Sequence, residues 1–229
     1  MRVSVVIPAL DEEGAIGHVV RELLEVGGLE RVVVADNGSR DRTAAVAREA
    51  GAEVVVASKR GYGAACLAGI DYLRRHEDGP PDIVVFVDGD GSNVAAELPS
   101  LVEPIASDAI AMTIGARCRL ADAGSLTAPQ RFGNGLATFL MRRMYGTSFT
   151  DLGPFRAVSW EALEQLGMED ENYGWTVEMQ VKAAKQGLPV REVDVHNRSR
   201  IAGKSKVAGT VRGVVGAGYK ILYTIYKYR

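Results

Sequence analysis

The feature that most constrains this chain is a regular alternation of short apolar runs with helix-period patterns in its N-terminal half. Val3–Ile7, Arg31–Ala35, Glu53–Ala57 and Ile83–Val87 have strand length and are rich in Val and Ile. Ile83–Val87 is apolar enough to be central in a sheet. Between these runs, Glu12–Val26, Thr43–Ala50 and Tyr62–Arg75 read as helices. In the first, Ile16, Val19, Val20, Leu23 and Leu24 share one face. The alternation predicts an α/β fold: a mainly parallel sheet with helices on both faces. Ligands of such sheets bind beyond the carboxyl ends of the strands. That directs attention to the loops Pro8–Glu13, Asp36–Arg42, Ser58–Gly63 and Asp88–Asn93.

The second half is less regular. Ile110–Ala116 and Val190–Val195 read as strands. Gln130–Tyr145 and segments around Trp160–Leu166 and Trp175–Gln186 read as helices, and Val207–Tyr228 as a long, basic, Tyr-rich helix. No repeat or low-complexity linker divides the 229 residues, so one domain is expected.

Composition narrows the function classes. Apolar residues at 47% and charged residues at 24% fit a soluble globular protein. Cys66 and Cys118 match no metal or redox spacing and read as small core residues, which fits a reducing, cytoplasmic location. The N-terminal apolar stretch is too short for a signal peptide, and no run reaches the roughly 18 apolar residues of a membrane span. The net charge of −2 hides an asymmetry. Residues 195–229 hold eight Lys/Arg and no Asp or Glu, so the remainder carries −10 (−2 less +8). The acidic body argues against a nucleic-acid partner. The basic C-terminus implies a local anionic one, a phosphate group or a membrane surface.

Three strand-end segments bear candidate chemistry. Asp88-Gly89-Asp90 places two carboxylates where a tight turn at Gly89 converges them on one cation. Oxygen ligands suit Mg²⁺ or Mn²⁺, and such an ion bridges a diphosphate. Asp-Gly is also a common turn dipeptide, so the triplet alone is ambiguous. In Asp36-Asn37-Gly38-Ser39-Arg40-Asp41-Arg42-Thr43, turn and capping roles explain most positions but leave Asp36 to accept from a base or ribose. Lys59-Arg60-Gly61-Tyr62-Gly63-Ala64-Ala65-Cys66 enters a helix as a phosphate-binding loop would. Cys66 at the third glycine position, and its place after the third strand, argue against a nicotinamide fingerprint.

Taken with Val6-Ile7-Pro8-Ala9-Leu10-Asp11-Glu12-Glu13, these segments resemble, in order and spacing, the family 2 inverting glycosyltransferases. The second half is similar to the dolichyl- or polyprenyl-phosphate mannose/glucose synthase branch. The similarity rests on Gly115-Ala116-Arg117, Asp151-Leu152-Gly153-Pro154-Phe155-Arg156, Trp175-Thr176-Val177-Glu178-Met179, Glu192-Val193-Asp194-Val195 and Arg200-Ile201-Ala202-Gly203-Lys204-Ser205-Lys206.

The resemblance implies a glycosyltransferase A-type fold. A Rossmann-like nucleotide-sugar-binding half would span residues 1–116 and an acceptor-binding half residues 117–229. It further implies a UDP-, GDP- or dTDP-sugar donor and a divalent metal, Mg²⁺ or Mn²⁺. By the same resemblance Pro8, Ala9, Asp11 and Glu12 would line the nucleotide and Asp36 the base, with Gly61 and Gly89 in the same donor-contacting set. Asp88 would face ribose and metal, and Asp90 metal and diphosphate. Arg117 and Arg131 would reach the acceptor phosphate, and Arg200, Lys204 and Lys206 would close over the diphosphate. Asp11 and Asn37 depart from the family's usual Asn and Asp. Ser92 replaces a common Gln, which makes His196 a candidate third metal ligand.

A lipid-phosphate acceptor needs no strong base; an alcohol would make Asp151 or Glu178 the base candidate. The acceptor expected first is a polyprenyl phosphate, and second a small soluble molecule. The C-terminal helix, with Tyr219, Tyr223 and Tyr226 on one face beside Lys220, Lys227 and Arg229, suits either a peripheral contact at the inner membrane face or packing on the protein or a second subunit. A nucleotidyltransferase would want a Gly-rich basic loop after the first strand, where this chain is acidic. A non-catalytic nucleotide-sugar-binding protein would not need Arg117, Asp151, Glu178 and Lys204.

Overall fold

The structure, a computed structural model, describes residues 1–203 and 211–229, and the side chains of 211–215 are outside the description. Seven strands form one mixed sheet in the order β3-β2-β1-β4-β6-β5-β7. They are β1 (Val3–Ala9), β2 (Leu29–Asp36), β3 (Glu53–Val56), β4 (Ile83–Phe86), β5 (Met112–Ala121), β6 (Arg156–Ser159) and β7 (Val190–Asn197). The helices are α1 (Ile16–Val26), α2 (Thr43–Glu49), α3 (Tyr62–Arg75), α4 (Leu98–Ser107), α5 (Ala128–Tyr145), α6 (Trp160–Leu166), α7 (Trp175–Lys185) and α8 (Val211–Lys227).

The expected parallel half is present: β1 pairs in parallel with β2 and β4, and β2 with β3. Strands β1 and β4 and most of β2 are buried on both faces, while the edge strand β3 is half-buried and exposes Val56. Val5, Ile7, Val32, Val34, Ile83 and Val85 pack toward α1 and α4, while Val6, Val33, Val84 and Phe86 pack toward α3, α6 and α7. Each such side chain contributes about 1.5–3 kcal/mol by leaving water. Pro8 does not end β1 but lies within it. Ala9 gives its carbonyl to Asn37 on the β2 side, so Pro8 faces β4, where pairing has already stopped at Val6↔Phe86 and no N–H is required.

Two elements escape the sequence pattern. Strand β6 is four residues long and antiparallel to both β4 and β5. Its first residue is a fully buried arginine, which masks the apolar signal. Helix α4 carries a proline in its first turn and Pro104 inside, which reads as loop. Strand β5 also runs past Ala116, because β7 continues to pair with it after an irregularity between Ala116 and Leu120. That bulge is where Arg117 leaves the sheet. Helix α8 packs its Thr224 and Ile225 inward and exposes Tyr219, Leu222, Tyr223 and Tyr226. No helix among the described residues is long and apolar enough to cross a membrane.

Gly69 on α3 sits directly over β1, and a Cβ there would lie 2.5 Å from Val6 Cγ1. Gly69→Ala should therefore destabilise the fold by about 1–3 kcal/mol, measurable by urea unfolding. An unchanged midpoint would show that α3 and β1 have slack between them.

Candidate active site

Strands β1, β2 and β4 end at the same edge of the sheet, and their loops enclose a cavity of about 420 Å³. Pro8, Ala9 and Glu12 line it from β1, Gly61 and Tyr62 from the start of α3, and Asp88, Gly89 and Asp90 from β4, with Arg200 closing one side. All of these but Tyr62 are expected site residues, and the fold brings them together. Arg60, Asn37, Asn172 and Tyr173 complete the wall. The last two come from the second half of the chain, in a segment that no motif covered.

Local bonds shape this cavity. Asn37 is buried, donates from Nδ2 to the Lys59 carbonyl (2.8 Å) and accepts at Oδ1 from Gly61 N–H (2.7 Å). An amide can do both, whereas an aspartate could only accept. Gly61 has φ 143°, and a Cβ there would fall 2.0 Å from the Glu171 carbonyl, so only glycine fits. Tyr62 donates its hydroxyl to Asp88 Oδ1 (3.1 Å). Asp90 Oδ1 accepts the Ser92 N–H at 2.9 Å, so Ser92 contributes backbone where the family's Gln would bring a side chain.

Glu12, Asp88 and Asp90 concentrate negative charge. Burial, with the neighbouring Asp90 charge, raises the Asp88 pKa to about 7, against the opposing pull of the Tyr62 hydroxyl and Arg117. The chain answers with its own cation: Arg200 Nη2 lies 2.7 Å from Glu12 Oε1 and 3.4 Å from Asp90 Oδ2, while its buried Nε has no partner. Backbone bonds lay residues 198–201 over the Asp90 loop, from Ile201 N–H to the Asp90 carbonyl and from Arg198 N–H to the Ser92 carbonyl, 3.0 Å each.

A second cavity of about 460 Å³ lies beyond Arg117. Arg117, Arg131, Asn134 and Asp151 form its polar end. Gly133 and Gly135 of α5 face Ala217, Gly218 and Ile221 of α8 along the rest. The two predicted acceptor arginines thus share one cavity. Asp88 of the first cavity and Arg117 of the second feel each other's charge.

Several expected roles do not survive. Asp151 is not a free base: it is fully buried, and Arg117 holds both oxygens, Nε to Oδ2 at 3.0 Å and Nη2 to Oδ1 at 2.7 Å. Glu178 is buried and accepts from the N–H groups of Glu169 and Asp170 and from the Tyr228 hydroxyl, with Lys182 at 2.8 Å. It caps a turn and lines neither of the two cavities. His196 is not at the carboxylates: its ring meets Glu97 at 2.5 Å and is largely exposed. Asp11 accepts from Arg40 N–H and belongs to the support of the neighbouring loop rather than to the cavity wall. Asp36 does have a turn role, accepting the Ser39 N–H at 3.3 Å. Cys118 is exposed at the rim of the second cavity; Cys66 is in the core. Lys204 and Lys206 lie outside the described residues.

A divalent cation fits this donor set in part. Among the described residues no three His, Cys, Asp or Glu side chains cluster to cage an ion. Asp88 and Asp90 offer hard oxygens, with Arg200 paired to Asp90, so these two carboxylates alone would not fill a cation's coordination shell.

A carboxyl with a native pKa near 7 holds a proton that the unfolded chain, at 3.8, has already lost. Stability should therefore fall as pH rises from about 4 to about 7. Thermal melts in EDTA should show this decline; Asp88→Asn should flatten it, and Mn²⁺ should reverse it at the upper end. An identical slope in Asp88→Asn would remove the assignment.

The Glycosyl transferase family 2 profile matches residues 4–167. An uncharacterized glycosyltransferase of Mycobacterium tuberculosis is 37% identical over 215 residues, 93% of each chain. Undecaprenyl-phosphate 4-deoxy-4-formamido-L-arabinose transferase of Pseudomonas aeruginosa is 39% identical over 112 residues, 44% of this chain and 31% of that one. Among solved structures, glucosyl-3-phosphoglycerate synthase from Mycobacterium tuberculosis, in complex with Mn²⁺, UDP and phosphoglyceric acid, superposes with a TM-score of 0.78 over 99% of this chain and 78% of that one. At 22% identity, that likeness is one of fold. With its strand-end carboxylates and its glycosyltransferase A-type sheet, the chain belongs to glycosyl transferase family 2.

Proposed function

We propose that this enzyme transfers a hexose, with inversion, from a UDP-, GDP- or dTDP-sugar to a polyprenyl phosphate. The observation that carries the acceptor is the fate of the two candidate bases. Asp151 is taken up by Arg117, and Glu178 by Lys182, Tyr228 and two backbone N–H groups. A hydroxyl acceptor needs a base to take its proton, whereas a phosphate oxygen arrives as an anion. The cavity beyond Arg117 suits such a substrate, with cations at one end and small or aliphatic side chains along the helices. The undecaprenyl-phosphate transferase among the relatives supports the same choice.

In this reading the donor lies in the cavity at the ends of β1, β2 and β4. A divalent ion held by Asp88 and Asp90, Mg²⁺ or Mn²⁺, would neutralise the departing diphosphate; the Mn²⁺ and UDP of the synthase structures support this. Arg200 and Arg60 bring guanidinium groups to the same cavity and stabilise charge on the leaving group. Arg117, held in a fixed fork by Asp151, orients the acceptor phosphate, with Arg131 beside it. Tyr62 fixes the rotamer of Asp88. The enzyme would act in the cytoplasm, touching the inner membrane face through the exposed Tyr219, Leu222, Tyr223 and Tyr226 of α8. A small phosphorylated acid is the second reading, favoured by the likeness to glucosyl-3-phosphoglycerate synthase. Transfer to its hydroxyl would need a base other than the two engaged carboxylates.

Asp90→Ala should abolish turnover while circular dichroism and melting stay native; retained transfer would refute the metal assignment. Asp151→Asn separates clamp from base. A clamp predicts a raised KM for the acceptor with kcat lowered less than about tenfold. A general base predicts a kcat loss of roughly 10²–10⁴ at unchanged KM.

A further inference from the structure

Asn172 and Tyr173 wall the donor cavity, yet they belong to the acceptor half. Their turn is built around Asp170. Its Oδ1 accepts the N–H groups of Asn172 (2.8 Å) and Gly174 (3.2 Å), and its own N–H goes to Glu178 Oε2 (2.7 Å). The turn presses on the phosphate-side loop. A Cβ on Gly63 would meet the Asp170 carbonyl at 1.8 Å, Ala64 donates its N–H to the Glu171 carbonyl (2.9 Å), and Lys59 pairs with Glu171 (2.6 Å). The Asp170 carboxylate is buried and meets a cation from α8: Lys220 Nζ lies 2.8 Å from Asp170 Oδ2. The neighbours of Lys220 on that helix, Gly218 and Ile221, wall the acceptor cavity. One helix therefore borders the acceptor cavity and supplies the counter-ion of the turn that borders the donor cavity.

We propose that Asp170 and Lys220 are positioning residues for the donor, with Lys220 fixing from α8 the Asn172–Tyr173 wall against which the nucleotide sugar is held. The proposal rests on the donor reading of the first cavity. Loss of Lys220 leaves a buried carboxylate without its cation, so the turn rearranges and the wall moves. The effect should appear in donor affinity. Replacing Lys220 by Arg, which keeps the charge, should preserve it.

The test uses the full chain and titration calorimetry with UDP, GDP and dTDP in the presence of Mn²⁺. The wild type should bind at least one of the three. Lys220→Met should weaken that nucleotide roughly three- to tenfold, and Lys220→Arg should recover most of the loss. Lys227→Met, which removes the exposed pair with Glu169 on the same turn, should bind as the wild type does. The double variant Asn172→Ala/Tyr173→Ala alters only exposed side chains and should weaken binding similarly; it decides the matter if Lys220→Met does not fold. Wild-type affinity in Lys220→Met, or in the double variant, would overturn the proposal. A wild type that binds none of the nucleotides would instead overturn the donor reading beneath it.

Discussion

The parallel pairing of β1 with β4 is the constraint on which the rest of this molecule depends. Val3 to Val6 run in register with Ile83 to Phe86, so both strands end at one edge. The chain must leave that edge twice within a few ångströms. The first exit brings Ala9 and Glu12, and the second Asp88 and Asp90. The hydrophobic layers on both faces make this arrangement rigid, and rigidity is what lets carboxylates crowd together. In a looser scaffold they would move apart into water. Here the crowding is maintained, and the Asp88 pKa near 7 follows from burial first and from the Asp90 charge beside it second.

Arginines resolve most of the charge so created, each in a different way. Arg200 reaches across from the far end of the chain to Glu12 and Asp90. Arg117 meets Asp151 through a two-pronged contact beside the same cluster. Arg156 lies beneath, fully buried; burial lowers its pKa to about 10, and it spends its donors on the carbonyls of Gly153, Leu152 and Thr176. That third arginine ties β6 to the loop carrying Asp151, so the acceptor-side clamp is braced from the core. The arrangement is a shared charge balance spanning both cavities, and a bound nucleotide sugar would have to re-partition it.

How much of this the sequence disclosed follows from the range of the interactions. The parallel half was legible because each strand is a continuous apolar run and each loop follows it directly. Glu12, Asp88 and Asp90 could therefore be placed beyond the strand ends by chain order alone, whereas Pro8 belongs to β1 itself. The pairing of Arg117 with Asp151 was not legible. It joins residues 34 apart through a bulge in β5, and no local pattern announces a bulge. Asp151 and Glu178 looked like bases because their residue type permits it; only their partners show that both are engaged. Asn172 and Tyr173 reach the donor cavity only because glycines 61 and 63 allow the segment holding them to lie against α3. That contact crosses the two halves of the chain.

In the proposed reaction the acceptor attacks through an oxygen that is already anionic. The most direct measurement is transfer from each nucleotide sugar, with Mn²⁺, to undecaprenyl phosphate in detergent micelles and to 3-phosphoglycerate, with products resolved by mass spectrometry. A sugar–phosphate–lipid product should form from at least one donor, with no ionised carboxylate acting as general base toward the acceptor. Efficient transfer to the hydroxyl of phosphoglycerate, with none to the lipid phosphate, would contradict it.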